Sequence, residues 1–136
     1  MIISRAAEYG LISVGYIALH QKESKITAKV ISDKFNIPLQ FLFRILNGLN
    51  KAGILLSKRG LNGGYVLARK PGKLSLLDII KTIEGSNFDP LSVIEHNSNQ
   101  QFIVRMKKVC KKATAEKNKI LSKATLAEMI SGLKDR

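Results

Sequence analysis

Gln40, Arg44, Asn47 and Lys51 recur at spacings of 4, 3 and 4. On a helix this draws a single polar stripe. Their chemistry is hydrogen bonding to flat polar edges. An arginine fork matches guanine, and a glutamine or asparagine carboxamide matches adenine. The same stripe is also what an ordinary solvated helix face looks like. The stretch just after it favours the first reading. Ser57–Lys73, "SKRGLNGGYVLARKPGK", holds five basic residues, four glycines and no acidic residue.

A glycine-rich basic segment can cradle a phosphate. A P-loop needs Gly-Lys-Ser/Thr leading into a helix, and a dinucleotide fingerprint needs GxGxxG doing the same. Here the glycines lead into "YVLA", which alternates like a strand. With "ILLSK" before it, the segment reads as a hairpin around residues 59–63, where glycine permits positive φ. Arg59 then stands at the tip. Its planar cation suits a narrow minor groove, where negative potential is enhanced. Asn62, Gly63 and Gly64 shape the turn, and their backbone N–H groups can meet phosphate. Lys51, Lys58, Arg5 and Lys29 are phosphate candidates, each of which alone is also plain surface charge. Phe43 flanks the polar stripe. It either touches a thymine methyl or packs at the edge of the domain.

The elements that must position these residues are mostly helical. Ser4 caps a first helix running to about Gln21, with Tyr9, Ile12, Tyr16 and Leu19 as its apolar stripe. Gly10 and Gly15 lie inside it, where close packing against another helix would justify them. Thr27 caps a short second helix to Phe35, with Ala28, Ile31 and Phe35 inward. Pro38 fits the first turn of a third helix that ends at Ala52, with Gly53 as its C′ residue. Leu39, Leu42, Ile45, Leu46, Leu49 and Ala52 lie opposite the polar stripe. Two helices joined by a tight turn, the second bearing a polar face, make a helix-turn-helix, and the hairpin makes it winged. Ser75 and Asp78 have capping-box spacing ahead of "LLDIIKTIEG", a helix stopped by Gly85.

Residues 86–99 read as a polar loop. A basic helix follows, over about residues 100–122, with Phe102, Met106, Val109, Ala113 and Ile120 at heptad-compatible spacings. One small domain cannot cover so long a helix, and a second copy of the chain would. Thr125 then caps a last short helix, "LAEMI". The fold class is therefore mainly α with a small β-hairpin. A winged helix-turn-helix domain (1–85) is joined through the loop (86–99) to a dimerisation segment (100–136).

The net charge of +13 over 136 residues attracts polyanions. It is blocked in zones: +4 over residues 1–53, +5 over 54–73, −3 over 74–100 and +7 over 101–136. Nucleic acid is the commonest partner of such a field. Cys110 is the only cysteine, which excludes a disulfide framework within one chain and any multi-cysteine metal site. Its lysine neighbours would lower a thiol pKa and suit a redox sensor; the favoured reading is a small apolar residue near a helix seam. No HExxH or GxSxG is present and no nucleophile–base pair stands out, so the chain is not read as an enzyme. No signal peptide or membrane-length apolar run appears, and a soluble cytoplasmic protein is expected.

"EYGLISVGYIAL", "KAGILLSKRGLNGGYVLAR", "IIKTIEG" and the terminal "ATLAEMI" resemble the Rrf2 family of bacterial transcription regulators. That family includes an iron–sulfur cluster regulator, a nitric-oxide-sensing repressor and a cysteine-metabolism repressor. The resemblance covers residues 1–85 and returns at 124–130. It implies a dimer whose third helix enters the major groove and whose wing, through Arg59, reaches the minor groove. It places the long helix and the last short helix, with Leu126, in the dimer interface. Sensor members carry three cluster-binding cysteines in the region matching residues 86–110. This chain has only Cys110 there, so no cofactor is expected. Many relatives have a polar or acidic residue where this chain has Phe43, which implies a different base preference.

The expected function is a homodimeric repressor binding a pseudo-palindromic stretch of double-stranded DNA. Two alternatives stay open. One is a regulator sensing a metal or a small-molecule effector through residues 86–110. The other is a basic architectural protein without sequence specificity.

Overall fold

The computed structural model describes residues 3–22, 26–58, 63–85 and 100–133. The elements run α1 (Arg5–Leu19), α2 (Ala28–Phe35), α3 (Leu39–Lys51), β1 (Leu55–Lys58), β2 (Gly64–Leu67), α4 (Leu76–Glu84), α5 (Gln101–Lys123) and α6 (Leu126–Ile130). A single 3-10 turn, Pro71–Lys73, leads into α4.

Local chemistry explains most of the boundaries. The Ser4, Thr27, Ser75 and Thr125 side chains each accept a backbone N–H in the first turn of their helix. Ser75 and Asp78 complete a reciprocal capping box. At the end of α3, Gly53 takes φ 77°, which lets Ile54 N–H return to Leu49 O at 3.0 Å. Pro38 stands one residue earlier than expected. It is the N-cap of α3, and its carbonyl accepts from Leu42 N–H at 2.9 Å. The turn between α2 and α3 uses Asn36 at φ 54°, and the Ser32 hydroxyl donates to Ile37 O at 2.6 Å. That bond fastens the helix-turn-helix corner.

The core lies between α1, α3 and α4. Ile17, Ile31, Leu42, Leu46, Leu49, Ile54 and Ile79 are among its fully buried side chains. In α1 the helical period is as expected but its phase is not. The buried line is Ala7, Gly10, Val14, Ile17 and Ala18, while Tyr9, Ile12, Tyr16 and Leu19 are only half-buried. Small residues let α1 approach α4 closely: a Cβ at Gly10 would collide with the Ile83 side chain. Nothing lies within 4 Å of a Cβ at Gly15, so the close-packing reason fails there. The two tyrosines instead cover the rim edge-on, Tyr9 against Phe41 at 5.7 Å and Tyr16 against Phe35 at 5.5 Å. Phe35 is thus a surface clamp rather than a core residue, and Ala52 is exposed.

β1 and β2 pair antiparallel, with Leu55 opposite Leu67 and Ser57 opposite Tyr65. Ile26 adds a short third rung to the outer edge of β2. α5 packs on α4, and the chain then returns to the winged domain. Leu76 N–H donates to Ala124 O at 2.9 Å, and Leu126 N–H to Leu74 O at 2.8 Å. No helix among the described residues is long and apolar enough to cross a membrane.

Candidate nucleic-acid interface

The interface is built on α3. Leu42, Ile45, Leu46 and Leu49 anchor one side of the helix in the core. Gln40, Arg44, Asn47 and Lys51 therefore stand together on the exposed side, with Phe43 beside them, 43% exposed. An unbroken polar line on the second helix of a helix-turn-helix is the arrangement that reads base edges in a major groove.

The wing is held beside that helix by three contacts. Asn50 Nδ2 donates to Ser57 Oγ and Asn50 Oδ1 accepts from Ser57 N–H, both at 3.3 Å. The Tyr65 hydroxyl donates to Asn47 Oδ1 at 3.4 Å. Tyr65 N–H donates to Ile26 O at 2.8 Å, which ties β2 to the segment leading into α2. Burial pushes the Tyr65 phenol above its usual range, so it stays a protonated donor at neutral pH. Neither Asn50 nor Tyr65 is singled out by sequence reasoning. Each acts between elements, and no periodicity or motif signals such a pairing. The asparagine three residues beyond Asn47, facing a strand serine, was the one available hint.

Between α2, α3 and the wing lies an open groove of about 300 Å³. Lys29 and Lys58 are on its rim, with Phe43, Gly63 and Tyr65 also lining it. The structure thus gathers four separately expected contacts, Lys29, Phe43, Lys58 and Gly63, around one depression. Lys29 also pairs with Asp33 at 3.2 Å, both side chains largely in solvent. Such a pair is weak and easily exchanged for a phosphate. Arg5 opens α1, exposed, and is not part of the groove. Arg59 and Asn62, the expected wing tip, lie outside the described residues, as does the expected loop at 86–99.

α5 carries a separate surface. Phe102, Val109 and Ile120 are 75%, 68% and 68% exposed, Ala113 is exposed, and Met106 is half-buried. Leu126 does not belong with them. It is 2% exposed within its own protomer, because the strand-like bridge at Ser75–Thr125 folds α6 onto the core. Its expected place in the dimer interface is corrected accordingly. Cys110 is half-buried. Among the described residues no cluster of three or more His, Cys, Asp or Glu side chains could hold a metal.

Taken together, helix-turn-helix, pinned wing and long terminal helix define a winged-helix DNA-binding regulator. Comparison with known proteins gives the family. The Rrf2 model, described as an iron-dependent transcriptional regulator, matches residues 3–132, and the chain belongs to that family. A protein of Aquifex aeolicus, provisionally named as an HTH-type transcriptional regulator, is 35% identical over 81 residues. That match spans 60% of this chain and 56% of the relative. The HTH-type transcriptional regulator CymR of Bacillus subtilis is 29% identical across 96% of this chain and 91% of its own length. The solved structure of T. potens IscR superposes with a TM-score of 0.76 at 29% identity, covering 98% of this chain and 88% of that one. The family description invokes iron. Iron–sulfur clusters are held by several cysteine thiolates, and this sequence offers Cys110 alone.

Proposed function

We propose that the protein is a homodimeric, sequence-specific DNA-binding repressor that works without an iron–sulfur cluster. The observation that carries this reading is the exposed line Gln40–Arg44–Asn47–Lys51 on α3, with the wing fastened beside it by Asn50 and Tyr65. α3 enters a major groove, and the wing, led by Arg59, reaches the neighbouring minor groove. The DNA strand that divides the two grooves must then run between α3 and the wing, where Lys29 and Lys58 flank the groove described above. Both lysines supply counter-charge to phosphates there.

The dimer reading rests on α5. An apolar line including Phe102, Val109 and Ile120 left in water is unfavourable for a monomer. A second α5 covers it, and the two-fold axis then sets two α3 helices on half-sites about one helical turn apart. Repression follows from occupying a promoter. As a regulator of this kind the protein is not an enzyme, and it acts in the cytoplasm, where the DNA is.

The test is selection of bound duplexes from a random pool, followed by competition against random duplex. The reading expects a pseudo-palindromic consensus and a preference of at least about 10³. Equal binding to all duplexes would replace it with the architectural alternative.

A further inference from the structure

Tyr65 joins the elements around the groove through its backbone and its hydroxyl. Its backbone pairs with Ile26 just before α2, through Tyr65 N–H to Ile26 O at 2.8 Å and Ile26 N–H to Tyr65 O at 3.4 Å. Across the hairpin it lies opposite Ser57, which Asn50 of α3 holds. The residue is 9% exposed, and its hydroxyl donates to Asn47 Oδ1 at 3.4 Å. The phenol is anchored by its own backbone and burial, while Asn47 stands exposed on α3.

This geometry has a consequence for base reading. A free asparagine can present both its oxygen and its amino group, which is the bidentate match to adenine. Here the oxygen of Asn47 is turned back toward the wing. One lone pair of that oxygen is thereby engaged, while the amino group, with two N–H donors, is left whole for the groove. We propose that Tyr65 is a positioning residue which holds Asn47 as a donor-side reader, so that the base pair beneath Asn47 is recognised through major-groove acceptors: guanine N7 or O6, adenine N7, or thymine O4. This rests on the DNA-binding reading above and deepens it. Tyr65 touches no base itself; it acts through Asn47.

The experiment is a base-pair scan of the selected duplex, each position replaced in turn and binding measured for the parent, Tyr65→Phe, Asn47→Ala, Asn47→Asp and the double variant Tyr65→Phe/Asn47→Ala. In the parent scan, Asn47→Ala should flatten the preference at one position of each half-site. Tyr65→Phe should lower the preference at that same position about 3- to 10-fold, the worth of one hydrogen bond. Other positions and the salt dependence should stay at parental values, which a general loosening of the wing would not allow. The double variant should lose no more than Asn47→Ala. Asn47→Asp, which keeps an acceptor for Tyr65 but has no donor, should lose the preference as fully as Asn47→Ala. A Tyr65→Phe scan superimposable on the parent scan overturns the proposal, as does an Asn47→Asp scan that keeps the parental preference. If the parent selects no duplex at all, the DNA-binding reading has failed first, and that result is visible before any variant is made.

Discussion

Asn50 and Ser57 face each other across the junction of α3 and β1, and the carboxamide makes both of its bonds to the same residue. Asn50 Nδ2 donates to the Ser57 hydroxyl and Asn50 Oδ1 accepts the Ser57 N–H, each at 3.3 Å. With the Tyr65–Asn47 bond, this pair sets the orientation of the wing relative to α3. Asn50→Ala removes both bonds. It should cost about 1 kcal/mol in chemical denaturation, because the groups left behind can reach water. Affinity for the selected duplex should fall more than affinity for random duplex, since a misaligned wing loses register before it loses charge. Parental stability and specificity in this variant would show the pair to be incidental.

Leu126 and Val109 should behave oppositely. Leu126 is buried in its own protomer, so Leu126→Ala leaves a cavity and should cost about 2–5 kcal/mol. Val109 is 68% exposed, so Val109→Asp should leave the protomer folded. On the dimer reading it should convert the protein to a monomer in sedimentation and abolish tight binding to a two-half-site duplex. A Val109→Asp protein that sediments like the parent contradicts the dimer seam.

The two glycines of α1 divide in the same way. A methyl group at Gly15 meets nothing within 4 Å. Gly15→Ala should therefore stabilise the helix by about 0.5–1 kcal/mol. At Gly10 the same methyl displaces Ile83, and the gain in helix propensity is offset by repacking. Thermal melts should rank Gly15→Ala above the parent and Gly10→Ala at or below it.

Tyr65 gives a pH dependence with a definite sign. Burial raises its pKa above the ordinary value of 10.0, so the folded chain holds the proton more tightly than the unfolded chain. The stability this provides is complete below about pH 10 and is lost as pH rises through the folded-state pKa. The stability difference between the parent and Tyr65→Phe should thus be flat up to that point and then move against the parent. A difference that changes between pH 6 and 8 would assign the effect to another group.

What was legible in the sequence was whatever repeats locally. The spacing of Gln40, Arg44, Asn47 and Lys51 against Leu42, Ile45, Leu46 and Leu49 gives both faces of α3, because the helical period alone decides them. The capping pair Ser75 and Asp78 and the glycine-rich hairpin are likewise short-range signals. The failures are tertiary. Tyr9 and Tyr16 look like core residues by hydropathy, yet close approach of α1 to α4 reserves the buried line for Ala7, Gly10 and Ala18. Leu126 looks like part of a terminal interface until the backbone bridge to Leu74 draws it inward. Asn50 and Tyr65, which align the site, pair with residues 7 and 18 positions away, and no local pattern records such a pairing.

On the proposed reading, base sequence is read by the exposed face of α3. This is tested most directly by titrating the parent and the triple variant Gln40→Ala/Arg44→Ala/Asn47→Ala with the selected duplex and with random duplex at one fixed salt concentration. All three side chains are exposed, so the variant should melt within a few degrees of the parent. Its affinity for the selected duplex should fall by at least about 10³, to the level of random duplex, while random-duplex affinity falls far less. A triple variant that keeps the parental preference for the selected duplex would contradict that reading.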